Sequence, residues 1–185
     1  MIVYLHGFNS SPASGKARQL GEYLASLGRL DEYFCPTLSN SPREAIAQVE
    51  SVLMPYPPGA ITLVGSSLGG FYATYLAEKH DWKAVLVNPA VHAHRLMRGA
   101  LGPQTNWYTG KKWMLTEDHL AELAALDVAQ ISQPERYLLL VQTHDEILDY
   151  RDAVSYYVGA RHCVEEGGDH GFTGFERHLS TILDF

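Results

Sequence analysis

A chain of 185 residues, of which 46% are hydrophobic and 19% charged, is long enough to form one globular domain with a buried core. The net charge of −7 and the scattered Lys and Arg residues argue against a nucleic-acid-binding protein. Apolar stretches are too short to span a bilayer, and the chain enters a strand at once, so we expect neither a membrane protein nor a signal peptide.

Short apolar runs alternate with helical patterns in the first half of the chain. Strands are predicted at residues 2–5, 33–35 and 60–64. The first helix is predicted to begin at Ser14, and the second at Ser41 and Glu44, which form a capping-box pattern. Helical spacing predicts that these two helices bury Ala17, Leu20, Leu24 and Leu27, and Ile46, Val49, Val52 and Leu53, respectively.

The second half continues the alternation, with strands predicted at residues 84–87, 137–141 and 162–165. Helices are predicted after Thr116, at about 150–158, and from Phe172 to the terminus, with His178 on the outer part of the last helix. Residues 91–133 break this rhythm and are interpreted as a short lid inserted into a single domain that spans 1–185.

This alternation predicts the fold class. Continuously apolar strands separated by helices indicate a parallel sheet that is covered on both faces. We therefore predict an α/β protein, a doubly wound three-layer α/β/α sandwich with a mostly parallel sheet of about six strands. In such sheets functional groups gather at the carboxyl ends of the strands.

The most informative stretch is Gly65-Ser66-Ser67-Leu68-Gly69, which lies between a predicted strand and a predicted helix. A Gly-x-Ser-x-Gly pattern in this setting is typical of a nucleophile elbow, a strained turn that exposes its central serine. The pattern also occurs in ordinary strand-to-helix turns, but the strand–turn–helix context favours the elbow. Ser67 is therefore the predicted nucleophile, and Ser66 is its neighbour in the turn.

A serine nucleophile needs a base and a group that orients the base. Asp145 follows the strand at 137–141, and His170 follows the strand at 162–165 in a loop with three glycines. The order Ser, Asp, His is that of α/β-hydrolase triads, so we predict Ser67, His170 and Asp145 as catalytic residues.

Each of these assignments has alternatives in the sequence. His144 also follows a strand and is the main alternative base. For the acid, the alternatives are Glu146, Asp149, which is well placed to cap a helix, and Asp169, which could cap the last helix.

An acyl-transfer site also needs N–H donors for the oxyanion of its tetrahedral intermediate. The backbone N–H groups of Leu68, directly after the nucleophile, and Phe8, in the loop after the first strand, are the predicted donors. His6 in the same loop is interpreted as a residue that orders the loop.

Two other patterns carry less weight. Residues 10–17 open a helix after a strand and contain Gly15-Lys16, as a phosphate-binding loop does. The leading glycine is missing, however, and Ala17 stands where Ser or Thr would hold magnesium. His92-x-His94 lacks spaced partners for a metal, and Cys35 and Cys163 form neither a disulfide framework nor a metal spacing, which is typical of a cytoplasmic protein. We therefore predict no cofactor and no metal.

With these residues in place, the chain resembles the α/β-hydrolases, and more narrowly the small bacterial YqiA-type esterases. The resemblance rests on segments 4–12, 64–70, 87–90, 108–110, 142–151 and 166–175. It implies a compact hydrolase without the first two strands of larger members and without a cofactor. The implied substrates are carboxylic esters, with acyl-CoA thioesters as a further candidate. It also supports Ser67, Asp145 and His170 by matching position. His144 is a departure, since many members have glycine before the acid.

The sequence therefore predicts a cytoplasmic serine esterase that acts on a small-molecule ester or thioester through an acyl-enzyme. Trp107, Tyr108 and Trp113 either line an acyl pocket or form the small core of the lid itself. An acyltransferase or a small peptidase would use the same residues, and a non-catalytic interaction module is the alternative outside enzymes. The physiological substrate and the oligomeric state do not follow from the sequence.

Overall fold

The computed structural model describes residues 1–185, apart from the side chain of Pro58. The strands are β1 (Ile2–Leu5), β2 (Tyr33–Phe34), β3 (Thr62–Ser66), β4 (Lys83–Val87), β5 (Gly102–Thr105), β6 (Lys112–Leu115), β7 (Tyr137–Gln142) and β8 (Arg161–Glu165). The α-helices are α1 (Gly15–Ser26), α2 (Pro42–Leu53), α3 (Leu68–His80), α4 (Ala93–Leu96), α5 (Glu117–Ala125), α6 (Tyr150–Tyr156) and α7 (Leu179–Asp184).

Six of the strands form one sheet in the order β2-β1-β3-β4-β7-β8, and all of its pairings are parallel. The predicted doubly wound sandwich is therefore confirmed. The chain first moves from β1 outward to β2 and then crosses back to place β3 on the other side of β1. The carboxyl ends of β1 and β3 thus lie at the point where the winding reverses, where such sheets leave a crevice.

Two hydrophobic cores cover the two faces of the sheet. Because side chains alternate along a strand, Val3 and Leu5 of β1 belong to one core, and Ile2 and Tyr4 belong to the other. The first core is completed by α2, α3 and α5, and the second by α1 and α7. This two-sided burial explains why the central strands read as continuous apolar runs.

Three predicted positions are wrong. Leu27 and Val52 were expected to be buried, but their exposed fractions are 48% and 39%. Leu27 lies just after the end of α1, and Val52 is displaced around α2 from the stripe that Val49 and Leu53 already fill. His178 was placed on the outer part of the last helix, but it is buried against Phe172 in a 3₁₀ turn that precedes α7.

Residues 91–133 contain α4, α5 and an antiparallel hairpin of β5 and β6 that the sequence analysis missed. β5 consists of Gly102, Pro103, Gln104 and Thr105 and so lacks the apolar run that identified the other strands. The apolar residues 113–115 of β6 fall within the segment interpreted as the lid. The helix expected after Thr116 is present as α5. In the described part of the chain, no helix is both long and apolar enough to cross a membrane.

Helix α3 packs unusually close to the sheet because glycines flank Ser67. A Cβ atom on Gly69 would lie 1.9 Å from the backbone oxygen of Leu5, and one on Gly65 would lie 2.3 Å from the backbone oxygen of Gly69. Both contacts are with backbone atoms, which cannot swing aside as a flexible side chain would. Gly69 therefore sets the distance between α3 and β1, and Gly65 sets the distance between α3 and β3.

Replacement of Gly69 by alanine is expected to lower the free energy of unfolding by about 3 kcal/mol or more, since the added methyl group overpacks the core. Gly15→Ala is the matched control, because Gly15 also lies in the first turn of a helix but has open space around its Cβ position. Urea unfolding of both variants measures the difference. Equal stabilities for the two variants would contradict the packing described for α3.

Candidate active site

Ser67 lies between β3 and α3 with a backbone conformation that non-glycine residues rarely adopt, φ 55° and ψ −121°. Its N–H donates to the Val87 oxygen at 3.1 Å, and its carbonyl oxygen accepts from the N–H groups of Gly70 at 2.9 Å and Ala90 at 3.1 Å. These bonds hold the strained turn from both sides. The strain is the signature of an elbow that presents its side chain away from the sheet.

The structure brings Ser67, His170 and Asp145 into one hydrogen-bonded line. The Nε2 atom of His170 lies 3.1 Å from the Oγ atom of Ser67. On the other side of the ring, Nδ1 lies 2.8 Å and 2.9 Å from the two carboxylate oxygens of Asp145. This arrangement of hydroxyl, imidazole and carboxylate is that of a nucleophile, a base and an orienting acid.

The carboxylate of Asp145 is held firmly in place. Its side chain is only 2% exposed, and its Oδ1 atom accepts from the backbone N–H groups of Ile147 and Leu148, both at 2.9 Å. Burial alone would raise the pKa of Asp145, but the hydrogen bonds from His170 and from these two N–H groups together hold the pKa below its usual value. Asp145 is therefore a fixed anion beside the imidazole.

The alternative base and one alternative acid lie elsewhere. The side chain of His144 is exposed, and its backbone N–H donates to the Gly167 oxygen at 3.0 Å. Asp149 caps α6, as the sequence suggested, by accepting from the Arg151 N–H at 3.0 Å.

The other two alternative acids, Glu146 and Asp169, form hydrogen bonds with backbone or side-chain groups of the His170 loop and not with the imidazole. Glu146 accepts from the backbone N–H of His170 at 2.9 Å. Asp169 accepts from the Thr173 hydroxyl at 2.8 Å, while its other carboxylate oxygen is buried. Both residues therefore shape the loop that carries His170.

Two buried amide side chains that the sequence analysis did not single out position this loop. Asn88 donates through Nδ2 to the backbone oxygens of Asp169 at 3.0 Å and His170 at 3.3 Å. Gln142 accepts from the Asp169 N–H at 3.1 Å and donates to the Thr173 oxygen at 2.8 Å. A signal for both is present in the sequence. Asn88 directly follows an apolar strand, and Gln142 is the last residue of another, so both lie at the carboxyl ends of strands.

The residues predicted to supply the oxyanion donors also lie beside Ser67. Leu68 begins α3, so its N–H is one of those that a helix leaves without an intrahelical acceptor. The loop with Phe8 approaches Ser67 so closely that a Cβ atom on Gly7 would lie 3.2 Å from the Cβ atom of Ser67. His6 orders this loop, because its Nε2 atom accepts from the Leu38 N–H at 3.1 Å.

Asn9 fastens the same loop to the β5–β6 hairpin. Its Nδ2 donates to Gln104 at 3.0 Å, its Oδ1 accepts from the Trp113 indole at 2.8 Å, and its backbone oxygen accepts from the Trp107 N–H at 3.0 Å. Asn9 adopts a positive φ of 53° and is buried. Asn106 adds a further bond by donating through Nδ2 to the Ser10 oxygen at 2.8 Å, so the hairpin and the loop after β1 are joined at several points.

A cavity of about 370 Å³ opens at Ser67 and His170. Trp107 and Tyr108 line it together with Ile147, and all three side chains are exposed at its mouth. Trp113, predicted to act with these aromatics, instead packs edge-to-face on Phe8 and lines a separate cavity of about 60 Å³. The predicted aromatic cluster is therefore divided between two cavities.

Of the histidine and cysteine pairs singled out in the sequence, the histidine pair has a carboxylate partner. His92 pairs with Asp127 at 2.8 Å, and both cysteines are free. Among the described residues, Cys163, Glu165 and His178 form one group with ligand atoms close enough for a metal. Glu165, however, already accepts from Arg177 at 3.0 Å and pairs with His178 at 3.0 Å, so it belongs to a partly buried polar network.

One protein family matches the chain over its whole length. The family described as "Uncharacterised protein family (UPF0227)" matches residues 1–185. A UPF0227 protein from Citrobacter koseri is 24% identical over 189 residues, and the match covers 100% of this chain and 98% of the relative.

Solved structures share the fold at low sequence identity. A protein described as a putative hydrolase from Agrobacterium vitis S4 superposes with a TM-score of 0.75 at 18% identity, covering 98% of this chain and 87% of its own. Mouse alpha/beta hydrolase domain-containing protein 10 gives a TM-score of 0.75 at 20% identity, covering 99% and 88%. The chain therefore has the α/β-hydrolase fold that its sequence resembles.

Proposed function

Because this chain belongs to the UPF0227 family and has an α/β-hydrolase fold, we propose that it is a serine esterase that hydrolyses carboxylic esters. The observation that carries the proposal is the hydrogen-bonded line from Asp145 through His170 to Ser67. Structural neighbours described as esterases and a lipase support the same reaction class.

In the acylation step, the Oγ atom of Ser67 forms a bond to the ester carbonyl carbon while Nε2 of His170 takes the hydroxyl proton. Asp145 stabilises the resulting imidazolium and keeps Nδ1 protonated. The bond from the carbonyl carbon to the ester oxygen then breaks, and His170 gives its proton to the departing alcohol. The product is an acyl-enzyme on Ser67.

Deacylation repeats the same proton transfers with water as the nucleophile. His170 takes a proton from water as the water oxygen bonds to the acyl carbon. The bond from that carbon to Oγ of Ser67 then breaks, His170 returns the proton to Oγ, and the carboxylic acid is released. In both steps the negative oxygen of the tetrahedral intermediate is stabilised by the backbone N–H groups of Phe8 and Leu68. Neither step needs a cofactor.

The 91–133 segment is proposed as the lid that selects the substrate. It supplies Trp107 and Tyr108 to the cavity at Ser67, and Asn9 ties its hairpin to the loop that contains Phe8. Thioesters would react through the same atoms as esters, and an acyltransferase or peptidase would differ in acceptor or leaving group. We place the activity in the cytoplasm, since Cys35 and Cys163 are free thiols.

Labelling with a fluorophosphonate tests the proposal, because this reagent phosphonylates activated serine hydroxyls. We expect the intact protein to be labelled stoichiometrically and Ser67→Ala to remain unlabelled. Ser66→Ala is the matched control and should still be labelled, since Ser66 lies in the same turn without contacting His170. An unlabelled wild-type protein, or a labelled Ser67→Ala variant, would refute a Ser67 esterase.

A further inference from the structure

Lys16 is the single lysine or arginine among the described residues that line the cavity at Ser67, and no aspartate or glutamate lines it. It comes from the first turn of α1, in the stretch that imitates a phosphate-binding loop in the sequence. The proposed triad does not use this residue. The lining of the cavity offers this cation no carboxylate. Its charge is therefore available to a negatively charged group of the substrate.

The ammonium group of Lys16 is fixed at one place on the cavity wall. Nζ donates to the backbone oxygen of Gly171 at 2.7 Å. In the described part of the chain this is the one acceptor assigned to Nζ, so two of its three N–H bonds are free for a ligand. Burial lowers the pKa of Lys16 to about 8, although the carboxylates of Asp169 and Asp145 act in the opposite direction.

The start of α1 adds to the positive potential at this wall. The helix has 12 residues and no acidic residue in its first turn. Ser14 at the N-cap makes no capping hydrogen bond through its side chain, its Oγ atom is buried without a partner, and both Ser14 and Gly15 line the cavity. The first N–H groups of a helix lack intrahelical acceptors and favour a nearby anion.

The position of Lys16 relative to His170 indicates which part of the ester it meets. In the proposed mechanism Nε2 of His170 gives its proton to the departing oxygen, so the leaving group lies beside His170. Gly171, which holds Nζ of Lys16, is the next residue in the chain. Lys16 and His170 line the same cavity, and this shared position favours contact between Lys16 and the alcohol side of the ester.

We propose that Lys16 and the first turn of α1 form an anion subsite, so that the preferred substrates are esters whose alcohol carries a carboxylate or a phosphate. This inference rests on the proposed esterase function and deepens it. Trp107, Tyr108 and Ile147 add apolar surface to the same cavity. An alcohol with an apolar body and an anionic end fits both features.

Two esters that differ in one charge test the subsite. Para-acetoxybenzoate and para-acetoxybenzamide carry the same acyl group and ring, but only the first has an anionic leaving group. We expect wild-type kcat/KM to favour the benzoate, and Lys16→Met to lower that preference about tenfold by removing a charged hydrogen bond. Para-acetoxyphenyl phosphate, tested in parallel, distinguishes phosphate from carboxylate as the preferred anion.

Matched variants separate recognition from a structural role. Arg18→Met removes the same charge from an exposed position of α1 outside the cavity and should leave the preference unchanged. Lys16→Arg keeps the charge and should keep most of the preference. An equal loss of kcat/KM for both esters in Lys16→Met would mean that Lys16 only positions the His170 loop, and this would overturn the proposal, as would a wild-type enzyme without preference.

The preference should also depend on pH. As the pH rises through about 8, Lys16 loses its charge and the ratio of the two kcat/KM values should fall towards that of Lys16→Met. The other titratable groups at this wall are Tyr4, Tyr108 and His170, with Asp145 and Asp169 in the adjoining loops. The pH dependence of the same ratio in Lys16→Met is the baseline, because it contains the contribution of every group except Lys16.

A binding measurement keeps this inference distinct from the esterase proposal. The dissociation constants of para-hydroxybenzoate and para-hydroxybenzamide, measured by titration calorimetry, require no turnover. Tighter binding of the benzoate that Lys16→Met abolishes would support the subsite even in a protein that fluorophosphonate does not label. A labelled, active protein that binds both compounds equally would overturn the subsite while the esterase function stands.

Discussion

His170→Ala is expected to lower kcat for ester hydrolysis about a million-fold, and adding Ser67→Ala should cause almost no further loss. The reason is that Nε2 of His170, 3.1 Å from Oγ of Ser67, is the proposed acceptor of the serine proton. Without it the hydroxyl is a weak nucleophile, and without the serine the imidazole has nothing to activate. Steady-state kinetics of the two single variants and the double variant measure this non-additivity.

His144→Ala is the control for this experiment. His144 also follows β7 and adjoins the acid in sequence, but its side chain is exposed away from Ser67. Its replacement should change kcat less than threefold, because it enters no step of the proposed mechanism. Comparable losses for His144→Ala and His170→Ala, or losses that multiply in the Ser67 double variant, would show that the base is wrongly assigned.

Asp145→Asn is expected to lower kcat about 10⁴-fold while leaving the fold intact. Oδ1 of Asp145 accepts from the N–H groups of Ile147 and Leu148, so the asparagine oxygen must keep that position. The amide nitrogen then replaces Oδ2, 2.8 Å from Nδ1 of His170. Since an amide nitrogen donates, it forces the imidazole proton onto Nε2, where the base can no longer accept from Ser67.

Asp149→Asn provides the matched control, since it is the same substitution four residues along the chain. Asp149 caps α6, and asparagine caps helices nearly as well, so activity should change little. Measured kcat values and the pH profile of each variant distinguish the two positions. If both substitutions cost the same activity, Asp145 does not orient His170.

Much of the framework follows from local patterns in the sequence. The central strands are buried on both faces, so their apolar runs identify them without knowledge of their neighbours. Gly65, Ser67 and Gly69 form a compact signal because all three lie within five positions of the chain, although Gly69 packs on Leu5 of β1. Ser67, Asp145 and His170 meet because parallel strands deliver their carboxyl ends to one edge.

The features that the sequence missed depend on contacts between distant segments. β5 has no apolar run, and the β5–β6 hairpin is held by Asn9, about a hundred residues earlier in the chain. His178 is buried by its contacts with Glu165 and Phe172. Helical spacing in the sequence does not indicate these contacts. Trp113 packs on Phe8 rather than beside Trp107 for the same reason.

The bonds of Asn9 have a consequence for exchanging parts among relatives. Because one side chain joins Gln104 and Trp113 to the loop that carries Phe8, the hairpin is not an independent module. A chimera that received only a foreign hairpin would lose the registration of that loop, and a graft for new specificity must therefore include residues 6–10. A change of substrate specificity in this fold therefore requires matched changes in two segments, residues 6–10 and the β5–β6 hairpin, which lie far apart in the chain.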